Sequence, residues 1–245
     1  MKLQIRNILF LIVTLLAVGS HGSLDVEKII GENDLIAVKE DASNIPFRYR
    51  DKIDAFGMLS MGCTATHIGK GIVVSAGHCF WAPPEAIENQ SCAEVSVAWG
   101  VRGQKAAYLV SKCEKIIMAQ KSHLGDFAII QVSPVPPVFI SPDLHRRAII
   151  GDTLTIFSHP DGLPLFWSQL CGVERKLDPA LPPTSIQYQC DTNPGSSGAA
   201  IIDALSLKIV GIHDGGRVDD KGQGMNYGTF IMDSPMTNKL ISLGF

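Results

Sequence analysis

Asp191-Thr192-Asn193-Pro194-Gly195-Ser196-Ser197-Gly198-Ala199-Ala200 sets a serine between glycines at the start of an apolar run. A hydroxyl on such a tight turn at a strand edge is presented as a nucleophile is presented. Glycine at 195 and 198 permits backbone conformations closed to other residues and lets a carbonyl group approach the main chain. The N–H groups of Gly195 and Ser197 are then candidates for an oxyanion hole. Gly-Ser-Ser-Gly alone is equally the composition of an ordinary turn. The reading therefore depends on whether the chain supplies partners for Ser197.

Two partners are present upstream. Ser75-Ala76-Gly77-His78-Cys79 follows the apolar run Ile72-Val73-Val74, and Asp126-Phe127-Ala128-Ile129-Ile130 lies between it and the serine. A serine hydroxyl is a weak nucleophile near neutral pH. It needs an imidazole to take its proton and a carboxylate to hold that imidazole in one tautomer. His78, Asp126 and Ser197 supply these groups, in that chain order. His123 lacks the strand-end and cysteine context of His78, and His67 and His145 stand in no motif. An esterase built on Gly-x-Ser-x-Gly would run in the opposite order, serine first and histidine last.

Taken together, Cys63-Thr64-Ala65-Thr66, Ser75 through Cys79, Asp126-Phe127-Ala128 and Pro194 through Gly198 resemble the trypsin/chymotrypsin serine protease superfamily. Ile209-Val210-Gly211-Ile212-His213-Asp214-Gly215-Gly216, followed by Asn226 through Ile231, is similar to its bacterial glutamyl-endopeptidase (V8-like) branch. The resemblance runs from residue 29 to 245. It implies an all-β fold of two packed antiparallel six-stranded β-barrels with a short C-terminal α-helix. The first barrel would span residues 29–132, a linker 133–143, and the second barrel with the helix 144–245. It further implies a monomeric serine endopeptidase without cofactor or metal, acting on protein or peptide substrates through His78, Asp126 and Ser197. The competing class is a protease-like binding protein, with the triad intact in sequence and the pocket blocked.

The branch also implies a specificity pocket in which Thr192 and His213 face the carboxylate of an acidic P1 side chain. Lys28-Ile29-Ile30-Gly31 looks like an activation junction, with residues 23–28 a short propeptide and the new amino group of Ile29 helping to bind the acid. In trypsin-type activation that ammonium pairs with an aspartate just before the nucleophile, and here Ser196 holds that place. Insertion of the trypsin type is therefore not expected. Asp214 is a further departure: a carboxylate beside His213 either repels an acidic substrate or points to solvent. Ser158-His159-Pro160-Asp161-Gly162-Leu163-Pro164 resembles a supporting turn, so His159 is read as holding a loop.

Composition agrees with this reading. The chain has 245 residues and 46% hydrophobic content, enough for a large core in a single all-β domain. Its net charge of −3 leaves no basic footprint for nucleic acid. Lys2 and Arg6, the apolar run Ile8 to Val18, and the small residues Gly19, Ser20 and Gly22 form a signal-peptide pattern over residues 1–22. The run is shorter than the about 20 apolar residues a spanning helix needs. The expectation is a secreted or periplasmic protein with no membrane attachment after signal cleavage.

Six cysteines on an exported chain suit three disulfides, in any of 15 pairings. The resemblance selects Cys63 with Cys79, closing the histidine loop. Adjacency pairs Cys92 with Cys113 and Cys171 with Cys190. The spacings do not match a structural zinc site.

Short apolar runs separated by Gly, Pro, Asn and Asp predict strands at 55–61, 72–75, 95–99, 127–132, 153–157, 165–170, 199–202, 208–212 and 229–232. Four prolines between Ser133 and Asp143 forbid a central strand there. At the end Ser234 can cap a helix, Pro235 suits its first turn, and Met236, Leu240 and Leu243 share one face.

Overall fold

The structure, a computed structural model, describes residues 28–82, 85–175, 177–218 and 224–245. The expected signal peptide and residues 23–27 of the expected propeptide lie outside these. The chain opens with β1 (Ile36–Ala37) and a single helical turn, α1 (Phe47–Arg50). There follow β2 (Phe56–Leu59), β3 (Thr64–Gly69), β4 (Ile72–Ser75), β5 (Ile87–Gln90), β6 (Ser96–Trp99), β7 (Leu109–Ser122) and β8 (Gly125–Ser133). Antiparallel pairing runs β7-β6-β2-β3-β4-β8, and β7 pairs again with β8 to close a six-stranded barrel. β5 is added on β7. Closure leaves these six strands without a free edge.

Residues 134–143 hold no strand, only an isolated bridge from Pro142 to Ile209. The second half then supplies β9 (Thr153–Ser158), β10 (Phe166–Gly172), β11 (Ser185–Tyr188), β12 (Ala200–Asp203), β13 (Ile209–Val218) and β14 (Gly224–Phe230). Their order is β10-β9-β12-β13-β14-β11, and a bridge between Val173 and Tyr188 joins the two ends. The N–H of Glu174 donates to Gln187 at 2.8 Å beside that bridge. This is the second six-stranded ring. β1 pairs with β10, so the amino-terminal stretch, grouped with the first barrel by sequence, lies on the second.

Five strands carry too little apolar signal to be read from sequence: β1, β3, β5, β7 and β11. β7 alternates Lys112, Cys113 and Glu114, with Cys113 inward and the charges outward, so only its pairing with three neighbours reveals 14 residues of strand. β3 is Thr-Ala-Thr-His-Ile-Gly, wholly buried although half polar. β14 begins at Gly224, well before the expected 229, because glycines at 224 and 228 mask it. Gly228 is required there, since a Cβ would sit 2.0 Å from the Ile212 carbonyl oxygen.

The terminal helix α2 (Pro235–Ser242) buries Met236 and Leu240 as expected and half-buries Leu243. Ser234 precedes it but does not cap it by side chain. Its hydroxyl donates instead to the Ile231 carbonyl at 2.8 Å. Lys239 pairs with Glu88 at 2.7 Å, seating the helix on the first barrel.

Three apolar cores result. One fills the first barrel around Val97, Trp99 and Ile130, and another fills the second around Leu154, Ile156 and Tyr188. The third is a seam that draws on both halves. There Phe157 of β9 stacks on Phe56 of β2, with centroids 5.1 Å apart, and on Trp167 at 6.2 Å. Disulfides join Cys63–Cys79, Cys92–Cys113 and Cys171–Cys190, the pairing expected from sequence. Replacing Phe157 by Ala leaves a cavity in the seam and is expected to cost about 3–5 kcal/mol in a urea titration. An unchanged midpoint would show that the seam does not hold the halves together.

Candidate active site

β4 ends at Ser75, and one 3₁₀ turn, Gly77–Phe80, then carries His78 toward the second barrel. Gly77 is needed at this corner because a Cβ would lie 2.0 Å from the Gln120 carbonyl oxygen. The Cys63–Cys79 bridge ties the turn to the residue before β3. Asp126, at the start of β8, grips His78 twice. Its Oδ1 accepts the His78 N–H at 2.8 Å, and its Oδ2 lies 2.8 Å from the ring Nδ1. An ionised carboxylate only accepts, so Nδ1 carries the proton and Nε2 is left as a base.

The second barrel supports this aspartate. The Asp126 N–H donates to the Thr229 hydroxyl at 2.8 Å, and that hydroxyl donates to Asp214 Oδ2 at 2.8 Å. Asp214 therefore corrects the expectation that it points to solvent. Its carboxylate is partly buried and bonded to Thr229 behind Asp126 rather than free in solvent, and that bond gives it a place in the support of Asp126.

The Ser197 turn is built on two glycines with positive φ, +95° at Gly195 and +86° at Gly198. Neither has room for a side chain. A Cβ on Gly195 would meet the His159 carbonyl at 2.7 Å, and one on Gly198 the Thr64 carbonyl at 2.4 Å and the Ala76 nitrogen at 2.8 Å. The Ala76 distance shows how closely the turn lies against the segment that leads into His78. Ser196 is buried, with its hydroxyl 3.0 Å from that of Ser158 and accepting the Asn193 N–H at 3.3 Å. Among the described residues nothing accepts the Gly195 N–H.

Thr64 fastens the turn to the first barrel. Its N–H donates to the Ser197 carbonyl at 2.9 Å and its hydroxyl to the Gly195 carbonyl at 2.8 Å. The same hydroxyl accepts the His159 N–H at 2.9 Å, and the Thr64 carbonyl accepts the Ser75 hydroxyl at 2.8 Å. Sequence reading passed over Thr64 as a functional position, since a threonine in a short polar strand has no signature of its own.

His159 is fully buried behind this turn and faces the Leu163 carbonyl through Nδ1 at 3.0 Å. Burial pushes its pKa down to about 4, against the opposing pull of the Leu163 carbonyl. It holds a loop, as its sequence context suggests. His67 is likewise a core residue, bonded to the Val138 carbonyl and packed on Trp99. His123 and His145 are exposed.

Thr192 and His213 are both fully buried. His213 Nδ1 is hydrogen-bonded to the Tyr188 hydroxyl, a partner that sequence reading missed. Among the described residues the buried Thr192 hydroxyl has no hydrogen-bond partner. Its N–H donates to the Lys28 carbonyl at 3.1 Å, so the amino-terminal junction lies against Thr192.

A family model described as the trypsin-like peptidase domain matches residues 63–212, which include His78, Asp126 and Ser197. The chain belongs to this family. Two barrels, the paired His78 and Asp126, and the glycine-framed serine turn agree with that membership, and the peptidase is a serine-type endopeptidase by class. Among solved structures it is similar to a Glu endopeptidase in complex with MPD, with a TM-score of 0.62 and 17% identity over 88% of this chain and 99% of the other. It is also similar to a thermostable serine protease, AL20, from an extremophilic microorganism, with a TM-score of 0.56 and 12% identity over 79% and 99%. A serine endoprotease from Yersinia pestis gives a TM-score of 0.54 and 15% identity over 82% and 67%. At these identities the likeness is one of fold. No curated protein sequence matches the chain.

Two outcomes follow for the peptidase. Gly198→Ala forces a Cβ into main-chain atoms of Thr64 and Ala76, and turnover is expected to fall on the order of a hundredfold, the loss typical of displacing a reacting group by about 1 Å. Wild-type turnover would refute the tight fit. His159, with its folded pKa lowered, binds fewer protons folded than unfolded. Its stabilising contribution is complete above the unfolded value near 6.5 and is lost as pH falls toward 4. The loss amounts to about 3 kcal/mol. A His159→Gln variant should show a flatter decline in melting temperature over that range, and an identical decline would remove His159 as the cause.

Proposed function

We propose that this peptidase is an exported endopeptidase that cleaves after glutamate or aspartate, using His78, Asp126 and Ser197. The observation that carries the reading is the double bond-pair from Asp126 to His78, held against a serine turn that Thr64 locks in place. Ser197 attacks the scissile carbonyl while His78 Nε2 takes its proton, and Asp126 stabilises the imidazolium. The N–H groups of Gly195 and Ser197 receive the oxyanion, each worth roughly 3 kcal/mol in the transition state. His78 then protonates the leaving amine, and water hydrolyses the acyl-enzyme.

Specificity is assigned to Thr192 and His213. The Tyr188 hydroxyl meets His213 Nδ1, and in the tautomer that accepts this hydroxyl the ring carries its proton on Nε2 and donates to a substrate carboxylate. The buried Thr192 hydroxyl, without a partner among the described residues, supports an acceptor that arrives with substrate. The ammonium of a processed Ile29 completes the pocket, a reading supported by the contact of Lys28 with Thr192. Three disulfides support export.

Ser197→Ala should lower turnover on the order of a millionfold, because the triad acts as a unit. Mass-spectrometric mapping of cuts in a denatured protein mixture, with that variant as control, tests the whole proposal. Cuts after Glu that vanish in the control are the expected result. Cuts after other residues would remove the acidic pocket and keep the endopeptidase. A processed protein that neither cuts nor labels with a fluorophosphonate would favour the binding-protein class.

A further inference from the structure

Lys28 is held against Thr192 as a ligand would be held. Its carbonyl accepts the Thr192 N–H at 3.1 Å and the Asn226 Nδ2 at 2.7 Å, while its own N–H donates to Asn226 Oδ1 at 3.0 Å. Asn226 is fully buried on β14, opposite Gly216 of β13, and its amide is steadied by a second bond to the Cys190 carbonyl at 2.7 Å. Burying a primary amide is costly unless its donors are used. Here one donor is used on the Cys190 carbonyl and the other on the carbonyl of Lys28, a residue at the expected processing junction.

The next residue but one is anchored separately. Asp191 is 3% exposed, and its two carboxylate oxygens accept the N–H groups of Ile30 and Asp34, each at 2.7 Å. Ile29 is thus bracketed, with Lys28 tied to Asn226 and Thr192 on one side and Ile30 tied to Asp191 on the other.

We propose that Asn226 is a specificity-determining residue and that the Lys28 carbonyl occupies, in the uncut chain, the seat of the substrate's P1 carboxylate. This rests on the acidic-P1 reading above. Hydrolysis of the Lys28–Ile29 bond adds one water. Its oxygen stays on Lys28 as a carboxylate, and the Ile29 nitrogen becomes an ammonium. Lys28 then leaves with the residues before it, and the Thr192 N–H and Asn226 amide lose their acceptor. Asp191 keeps Ile30 in place, so the new ammonium stays within one residue of the vacated donors. Two neutral donors and one cation are a seat for an anion and a poor one for an amide. Because the bond follows a lysine, the cut needs a separate peptidase that accepts lysine, and an acid-selective enzyme does not make it on itself.

The test compares three full-chain exported proteins: the wild type processed at Lys28–Ile29, a Lys28→Gln form left uncut, and processed Asn226→Ala. Amino termini are verified by mass spectrometry and intact centres by fluorophosphonate labelling. The reading is kcat/KM for peptides with Glu against Gln at P1. The expected result is strong Glu preference in the processed wild type, a ratio near unity in the labelled uncut form, and a ratio reduced about tenfold or more by Asn226→Ala, as for loss of one hydrogen bond to a charged group. If Asn226→Ala fails to label, the cut and uncut pair decides alone. Equal Glu preference before and after the cut, or an unchanged ratio in a labelling Asn226→Ala, overturns this inference and leaves the acidic-P1 reading standing. A processed wild type without Glu preference overturns both.

Discussion

Thr64 makes the four hydrogen bonds on which the site depends. One residue at the start of β3 bonds through its N–H and hydroxyl to the Ser197 turn, and through its carbonyl to the end of β4 that leads into His78. Such bonds contribute only about 1 kcal/mol each net, but an unmade one at a buried site costs more. They therefore act as a positional lock. The force that brings the two halves within reach of the lock is the apolar seam of Phe56, Phe127, Phe157, Trp167 and Ile212.

The support of His78 also runs from the opposite half. Asp126 reaches His78 within the first barrel, while Thr229 and Asp214 hold the Asp126 main chain from β14 and β13. The geometry of the histidine is thus conditional on the docking of the second barrel. The same economy appears behind the serine, where buried His159 stays neutral near pH 7 and supplies its main-chain N–H to Thr64. A charged residue there would have to be paired; the neutral ring is held by the Leu163 carbonyl.

The amino-terminal stretch is bound into the second barrel by side chains rather than by long strand pairing. β1 contributes two residue pairs, whereas Asp191 and Asn226 hold residues 28–34 by buried polar contacts. A short segment held at a few points can be released at one of them and retained at the others.

Much was legible in the sequence because the local chemistry is demanding. Gly195 and Gly198 stand where no other residue fits, Cys79 follows His78, and short apolar runs mark β4, β8, β9 and β12. These features are set by backbone conformation and covalent reach, which act within a few residues. β3, β7 and β14 were not legible in full. Their polar and glycine positions become intelligible only when a neighbouring strand supplies the burial and the hydrogen bonds. Asp214 was misread for the same reason, since its partner Thr229 is adjacent only across the sheet. The roles of Thr64, Tyr188 and Asn226 belong to the tertiary structure too. Each is an ordinary residue in its own segment, with contacts 25 or more positions away. The sequence by itself determined the chemical groups, their order and the turns that present them. Only the packing of one barrel on the other decided which polar atoms meet, because hydrogen bonds act over about 3 Å and the chain brings those atoms together from distant positions.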